Sequence, residues 1–351
     1  MQLPFGKVND CIPTDNQLPA PFPGNINYEA RVAILFSGGL DCLCLAALAD
    51  RYLPKGEAID LLNVGFENPR SVRAKEAEEI LALNRLKKQG LAAPIADISS
   101  SSSSSSSSTN VQGVRTVDST FNVPDRITGY ESLAELRRIA PHRHWNFVEV
   151  NIPFTEATAH RTEILERMAP LDSVMDLSIA MAFWFASRGI GHLRNEQNES
   201  MPYTSQAKVL LSGLGADEQL GGYSRHKEQF KTRGWKGLIH ELQLDLDRIS
   251  TRNLGRDDRI ISDHGKEARY PFLSTRVVQF LSTLRVDLKA DLRYPRGVGE
   301  KILLRHVARE LGFVRASSHW KRAVQFGARS ARMTESARSE VGQQVVDRAT
   351  E

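Results

Sequence analysis

A buried strand that ends in a serine–glycine–glycine turn and leads directly into a helix is the feature that most constrains this chain. The apolar run Val32–Phe36 is followed by residues 37–42 (Ser-Gly-Gly-Leu-Asp-Cys) and then by the helix-like stretch Leu43–Ala49. Such a turn points free backbone N–H groups and the positive end of a helix at one spot, which favours a bound phosphate. The alternative is an ordinary strand-to-helix turn rich in small residues.

The polar groups of this turn suit phosphate chemistry. Gly38 and Gly39 let the backbone approach a pyrophosphate closely, and the Ser37 hydroxyl adds a donor. Asp41 can hold the magnesium ion that accompanies the phosphates, because magnesium prefers carboxylate oxygens. The turn therefore predicts a site for a nucleotide and its metal.

A second segment repeats this arrangement. Residues 208–222 read Lys-Val-Leu-Leu-Ser-Gly-Leu-Gly-Ala-Asp-Glu-Gln-Leu-Gly-Gly, a further buried strand followed by a Ser-Gly turn and the acidic pair Asp217 and Glu218. Two strand-end loops of this kind are what a parallel sheet needs to build a nucleotide crevice at the carboxyl ends of its strands. Taken alone, the two acids could instead complement a helix dipole.

Four blocks in this order resemble the asparagine synthetase family of ATP pyrophosphatases. Beyond the two loops, residues 265–273 (Gly-Lys-Glu-Ala-Arg-Tyr-Pro-Phe-Leu) resemble the family's Gly-x-Glu-Ala-Arg-x-Pro-Phe-Leu signature, and residues 320–327 (Trp-Lys-Arg-Ala-Val-Gln-Phe-Gly) resemble its C-terminal segment. The similarity extends over nearly the whole chain. It implies an α/β fold, a doubly wound parallel sheet of the adenine nucleotide α-hydrolase-like (PP-loop) type with a helical C-terminal part.

The resemblance also implies roles for individual residues. ATP and pyrophosphate would contact a set drawn from both loops and the second strand: Ser37, Gly38, Gly39, Leu40, Asp41, Cys42, Val64, Ser212 and Gly213. Asp41 and Asp217 would ligate Mg²⁺. The helical remainder is expected to bring two catalytic residues to the crevice, Lys321 to neutralise phosphate charge and Glu267 to line the site. Without the resemblance, Lys321 would be a solvated cation and Glu267 a member of a structural ion pair with Arg269.

The activity implied is ATP-dependent, AMP-forming amidation of a carboxylate, presumed to be aspartate, through an acyl-adenylate. The nitrogen would come from ammonia, from a glutaminase domain or from an amidotransferase partner, and a homodimer is an alternative assembly. A relative that acts on another carboxylate or on an internal amine is one different interpretation. The other is a nucleotide-binding or scaffold protein of this fold that has lost the reaction.

Three departures from the family pattern favour the loss of chemistry. Leu214 occupies the position of a glutamate that in the family helps deprotonate the incoming nitrogen, which leucine cannot do. Cys42 replaces a serine, and a thiol is a weaker donor than a hydroxyl. Met1 is followed by Gln2 rather than by the family's amidotransferase cysteine, so no glutaminase is expected in this sequence. The retained phosphate and metal residues favour an enzyme.

The pattern along the chain divides it into three parts. Residues 1–27 are rich in proline and predict an irregular segment, residues 28–330 the synthetase-type domain, and residues 331–351 a tail. A serine run within about 97–112 predicts a disordered insert. Strands are predicted at 31–36, 58–66, 144–152 and 209–211, and helices near 132–139, 154–168 and 173–188. The remainder after about residue 230 is expected to be helical.

Composition excludes several classes of function. The 46 basic and 42 acidic residues leave a net charge of +4 without a basic stripe, so no nucleic-acid partner is expected. No run approaches 18 apolar residues and no signal peptide is evident, which predicts a cytoplasmic protein without a membrane segment. Cys11, Cys42 and Cys44 form neither a disulfide framework nor a metal motif.

Overall fold

Seven strands form one sheet within the described part of the chain. The computed structural model describes residues 29–68, 77, 81, 119–195, 197–318 and 322–332. The strands are β1 (Ala30–Leu35), β2 (Ala58–Phe66), β3 (Trp145–Ile152), β4 (Ile190–Arg194), β5 (Ser200–Thr204), β6 (Val209–Leu211) and β7 (Glu267–Arg269). The predicted segment 1–27, the serine-rich insert and all of the tail after residue 332 lie outside the described residues, so the division of the chain into domains stays a prediction.

The sheet is mostly parallel, as expected. Its order is β5-β4-β3-β2-β1-β6-β7. The strands β3, β2, β1, β6 and β7 run parallel to one another. An antiparallel hairpin of β4 and β5 extends the opposite edge. The predicted doubly wound parallel sheet is confirmed.

Helices cover both faces of the sheet. They are α1 (Leu40–Tyr52), α2 (Pro124–Ile139), α3 (Phe154–Ala159), α4 (Arg161–Met168), α5 (Val174–Arg188), α6 (Ala216–Leu220), α7 (Ser224–Ile249), α8 (Gly255–Ser262), α9 (Thr275–Thr283), α10 (Val286–Lys289), α11 (Ile302–Glu310) and α12 (Val324–Gly327). A π-helical turn, Ser250–Leu254, joins α7 to α8. Short 3₁₀ turns lie at Ser119–Phe121, Pro271–Leu273, Ala316–Ser318 and Ser330–Arg332.

Two apolar clusters lie on opposite faces of the sheet because successive strand residues point to opposite sides. Leu62 of β2 packs in one cluster with residues of α5 and α8. Its neighbour Leu61 packs in the other with residues of α1, α2 and α11. All nine residues of β2 are buried, as expected of a central parallel strand.

The structure differs from the predicted elements in four places. The single helix expected at 154–168 is two helices that meet at His160, and the helix expected near 132 begins at Pro124, a favourable first helical residue. The β4–β5 hairpin was missed because β5 is mostly exposed, β4 is mostly half-buried, and neither strand shows a clear apolar alternation. The remainder after residue 230 is helical except for the three-residue strand β7, which is too short for a periodic pattern. No helix of the described residues is long and apolar enough to cross a membrane.

Candidate functional site

The carboxyl ends of β1 and β6 open into a crevice of about 590 Å³. These strands are neighbours, but the chain leaves β1 towards β2 and returns to β6 on the other side, so the strand order reverses here. Ligands of open α/β sheets bind at such switch points. The walls come from the turns after β1 and β6, from β2, from α5, from the α7–α8 region and from residues 322–325. The volume suits a small-molecule site.

The turn after β1 requires a glycine. Gly38 has φ +76°, in the left-handed region, and a Cβ added there would overlap the backbone of Thr128 on α2. Ser132 on the same helix donates its hydroxyl to the Gly38 carbonyl at 2.7 Å. The Gly39 N–H donates to the Ser37 hydroxyl oxygen at 3.3 Å, and Gly39 is the N-cap of α1. Helix α2 thus supports the turn from behind while the first turn of α1 faces the crevice.

Lys301 lies between the two aspartates that the sequence assigns to a metal. Its Nζ is 2.7 and 2.6 Å from the two Asp41 oxygens and 2.7 Å from Asp217 Oδ1. Burial lowers the pKa of Lys301, but the two carboxylates together raise it well above its ordinary value. Lys301 is therefore a fixed cation in the wall of the crevice.

The Asp41 and Asp217 carboxylates converge from the first turns of α1 and α6. Magnesium that is bound to a nucleotide typically takes one or two carboxylates together with phosphate oxygens and waters, so this pair fits such an ion. In the described residues, no group of three or more His, Cys, Asp or Glu side chains could hold a metal. The donor set therefore suits a metal that arrives with phosphates.

Asn63 joins the end of β2 to the turn after β1 and to the start of α2. Its side-chain amide donates to the carbonyls of Phe36 at 2.8 Å and Asp125 at 3.0 Å. Its Oδ1 accepts from Arg126 Nε at 2.6 Å. Arg126 is fully buried, with its Nη1 3.2 Å from Glu149 Oε2. These contacts hold the backbone of Asp125 at the crevice wall.

The Asp125 side chain is only 5% exposed and lines the crevice. Its Oδ1 lies 3.9 Å from Arg322 Nη1, and a Cβ added at Gly327 would overlap the carboxyl group. Burial raises the pKa of Asp125 to about 7, and Arg322 only partly offsets this rise. An acid that titrates near neutral pH can take up or release a proton during a reaction.

A buried arginine holds two further acids of the wall. Arg256 Nη1 is 2.6 Å from Asp176 Oδ1, and Arg256 Nε is 2.8 Å from Asp257 Oδ1. Burial raises the pKa of Asp257 to about 6, against the opposing effect of Arg256. This cluster fixes α8 against the start of α5.

The loop after β6 is held by a second polar cluster. Glu218 accepts the Gly215 N–H at 3.0 Å and the Tyr223 hydroxyl at 2.6 Å. Tyr223 donates its own N–H to His226 Nδ1 at 3.2 Å, and the opposite ring nitrogen of His226 lies 2.8 Å from Asp245. Since Nδ1 accepts, the Nε2 proton of His226 points to Asp245. This chain of contacts joins α6 to α7.

The rest of the crevice is apolar on one side and cationic at its edge. Met175, Ile179 and Phe183 of α5 form the apolar side, and Leu214 also faces the crevice. Three arginines of the α7–α8 region lie at the edge: Arg225, Arg248 and Arg252. The crevice can therefore hold a molecule that has both apolar and anionic parts.

Most of the residues assigned from the sequence line this crevice. They are Ser37, Gly39, Leu40, Asp41, Cys42, Val64, Ser212, Gly213 and Asp217. Gly38 shapes the turn itself. Lys321 lies outside the described residues, so its assignment stays a prediction; the neighbouring Arg322 lines the crevice.

Glu267 is not brought to the crevice, contrary to expectation. It begins β7 opposite Val209, at the amino end of the parallel pair, whereas the crevice lies at the carboxyl ends. Its side chain is 60% exposed and lies 2.7 Å from Arg269. The predicted position of Glu267 at the rim is wrong, because β7 is an edge strand of the sheet and Glu267 lies at its amino end. The alternative prediction, an ion pair with Arg269, matches the structure.

Sequence reasoning missed Lys301 and Asp125. Lys301 precedes α11 and follows Gly297-Val298-Gly299-Glu300, a short stretch that lies outside the four blocks carrying the resemblance, so none of those blocks points to it. Asp125 follows Pro124 at the start of α2, where an acid is equally expected for helix stability. Only the packing of α2 and α11 against the first loop brings these groups into the site.

The fold and site together define an α/β protein of the adenine nucleotide α-hydrolase-like class. The sequence matches the family model described as Asparagine synthase over residues 27–239 and 228–351. The chain belongs to the asparagine synthase family.

Relatives with high identity are domain-containing proteins. "Asparagine synthetase domain-containing protein 1" of Bos taurus is 46% identical over 325 residues, 92% of this chain and 49% of that protein. Its namesake in Gallus gallus is 48% identical over 306 residues, 87% of this chain and 46% of that protein. A putative glutamine-hydrolyzing asparagine synthetase of Methanocaldococcus jannaschii is 42% identical over 82 residues, 23% of this chain and 15% of that protein. The chain spans about half the length of the first two.

Proposed function

We propose that this chain is the synthetase part of an ATP-dependent, AMP-forming ligase that activates a carboxylate and converts it to an amide. The observation that carries the proposal is the buried Lys301 between Asp41 and Asp217, beside the glycine turn at the switch point of the sheet. The carboxylate in this proposal is aspartate. The nitrogen is ammonia, supplied free, by a glutaminase domain or by an amidotransferase partner.

Each group has a task in such a reaction. The turn at 37–39 holds the pyrophosphate, and Lys301 offsets the negative charge that passes to pyrophosphate as the carboxylate attacks the α-phosphorus. Asp41 and Asp217 hold the Mg²⁺ that comes with ATP, and that ion supplies further charge neutralisation. The Val64 backbone, at the end of β2, contacts the base of the nucleotide. The arrangement contributes positioning and electrostatic stabilisation, which are the main contributions to phosphoryl and adenylyl transfer.

A nucleotide-binding scaffold is the second candidate. Leu214 places an apolar side chain on the crevice, and Cys42 offers a thiol where a hydroxyl would bind phosphate better. A scaffold of this kind would bind ATP without activating any carboxylate.

The test is exchange of labelled pyrophosphate into ATP with Mg²⁺ and a panel of carboxylates headed by L-aspartate. An Asp41→Asn variant removes a metal ligand, and Asp247→Asn, on the exposed side of α7, is the matched control. We expect exchange with one carboxylate, its loss in Asp41→Asn and its retention in Asp247→Asn. ATP binding without exchange for any carboxylate would favour the scaffold, and absence of ATP binding would contradict both candidates.

A further inference from the structure

Formation of an amide from an acyl-adenylate leaves a proton to be removed. The nitrogen lone pair forms the C–N bond, the bond between the acyl carbon and the phosphate oxygen breaks, and AMP leaves with that electron pair. The attacking ammonia or amine then carries one hydrogen in excess, which a nearby base must accept. Leu214 faces the crevice but has no atom that can accept a proton.

Most carboxylates of the crevice are engaged by other groups. The engaged acids with their partners are Asp41 and Asp217 with Lys301, Asp176 and Asp257 with Arg256, Glu218 with Tyr223, and Asp245 with His226 and Arg225. An oxygen that already contacts a cation or a hydroxyl donor has lone pairs in use, so these acids are less available to accept a proton from the nitrogen. Glu131 is exposed to solvent rather than buried in the wall of the crevice.

Asp125 differs from all of these acids. It is buried in the wall, and no side chain or backbone group of the described residues donates a hydrogen bond to its carboxyl group. Its charged neighbour is Arg322, at 3.9 Å. The side-chain amide of Asn63 donates hydrogen bonds to the backbone carbonyls of Asp125 and Phe36, and Phe36 directly precedes the glycine turn. The backbone of Asp125 is therefore held beside the turn that would bind the phosphates, and its side chain lines the same crevice, in which an acyl-adenylate would lie.

We propose that Asp125 is the proton acceptor for the nitrogen nucleophile in the amide-forming step. The inference rests on the ligase function proposed above. It assigns the proton-transfer task to the start of α2, whereas Leu214 lies in the loop between β6 and α6. The proton passes from nitrogen to an Asp125 oxygen as AMP leaves, and then to water through the open crevice.

The groups around Asp125 are consistent with titration in the physiological range. Arg322 faces it from the C-terminal segment, β2 presents the uncharged Asn63, and Arg126 on its own helix turns to Glu149. Beyond the turn, Lys301 is held by Asp41, and burial raises the pKa of Cys42 to about 11, so this thiol is neutral. Burial raises the pKa of Asp125 to about 7, so that a substantial fraction is ionised at neutral pH.

The test separates adenylation from nitrogen transfer in wild type and Asp125→Asn. Pyrophosphate exchange, with the carboxylate that supports it, measures adenylation, and amide formation with ammonium chloride measures transfer. Both are measured between pH 6 and 9, and transfer is expressed as the ratio of variant to wild type. The ratio removes the change in free ammonia with pH, which is equal for both proteins. Asp247→Asn is the control.

We expect exchange to change by less than about 3-fold and amide formation to fall about 100-fold, a typical loss for a general base. The ratio should also fall as pH rises through about 7. A second variant, Asp125→Asn with Leu214→Glu, places a carboxylate elsewhere on the crevice and should recover part of the transfer. A merely structural role for Asp125 would not produce this pattern.

The remaining outcomes overturn the inference in distinguishable ways. Unchanged transfer at all pH values, or equal losses of exchange and transfer, would show that Asp125 is not the proton acceptor while the ligase function stands. Absence of exchange in wild type would remove the ligase function and the inference together. Circular dichroism and thermal unfolding of each variant identify any loss that comes from misfolding.

Discussion

Lys301 Nζ lies 2.6 Å from Asp41 Oδ2, although 260 residues separate them. The backbone N–H of Lys301 also donates to the backbone carbonyl of Leu220, at the end of the helix that carries Asp217. The first loop, the second loop and the C-terminal helical part therefore meet at one ammonium group. The helical part is thus a component of the crevice and does more than cover the sheet.

Replacement of Lys301 should reveal how much its two carboxylates repel each other. We expect Lys301→Ala to lose about 3 kcal/mol in free energy of unfolding, because Asp41 and Asp217 are left partly buried without their cation. Millimolar Mg²⁺ should restore part of this loss, since it can occupy the same space between the carboxylates. Urea unfolding with and without MgCl₂ measures both effects.

The exposed Lys236 gives the matched control, and Lys236→Ala should be as stable as wild type. If Mg²⁺ stabilises neither Lys301→Ala nor wild type, the two aspartates do not bind the metal without a nucleotide.

Gly38 should tolerate no side chain. Gly38→Ala forces a Cβ into the backbone of Thr128 at a positive φ, so we expect a loss of about 2 kcal/mol or more and weaker ATP binding. Gly56→Ala is the control, because a Cβ there meets nothing within 4 Å. Thermal unfolding and calorimetric titration with ATP measure the two effects. Equal behaviour of the two variants would contradict the tight packing of the turn against α2.

The fold was predictable because its main features are local. The apolar runs of β1, β2 and β6 and the glycine turns after β1 and β6 each lie within a few residues of sequence. The site residues within these loops could be named for the same reason. Lys301 and Asp125 could not, because their place depends on how α11 and α2 pack against the first loop. Glu267 is the opposite case. Its motif is recognisable in the sequence, but the residue lies at the amino end of the edge strand β7, whereas the crevice lies at the carboxyl ends of the strands.

A Glu267 variant can therefore distinguish the structural position of this residue from the catalytic role that the family resemblance implies. Its side chain and that of Arg269 are both about 60% exposed, and such pairs contribute little to stability. We expect Glu267→Ala to change the free energy of unfolding by less than about 1 kcal/mol and to leave pyrophosphate exchange intact. A large loss of exchange in a folded Glu267→Ala protein would return this residue to the catalytic site.

The stability of the protein should depend on the protonation of Asp125. Its pKa is raised to about 7 in the folded state from an ordinary value of 3.8, so the folded state binds more protons between these pH values. Stability from this group is therefore present at low pH and is lost as pH rises from about 4 to 7. Asp125→Asn has no such pH-dependent contribution. As pH rises from 4 to 8, its free energy of unfolding should therefore increase by up to about 4 kcal/mol relative to that of wild type. Urea unfolding across this range measures the difference, and a constant difference would mean that Asp125 has an ordinary pKa.

Cys42 gives a prediction about phosphate affinity. Its Sγ donates to the Gly39 carbonyl at 3.2 Å and lies 3.7 Å from the Ser37 hydroxyl, at the mouth of the turn. A hydroxyl is a stronger donor than a thiol, so Cys42→Ser should bind pyrophosphate about 5-fold more tightly, the effect of roughly 1 kcal/mol from one improved hydrogen bond. Cys44→Ser, in the apolar core and away from the crevice, should be destabilised without any gain in affinity. Calorimetric titration with pyrophosphate and Mg²⁺ compares the two. Unchanged affinity in Cys42→Ser would show that the residue 42 side chain does not reach the phosphates, and that the N–H groups of the turn bind them without it.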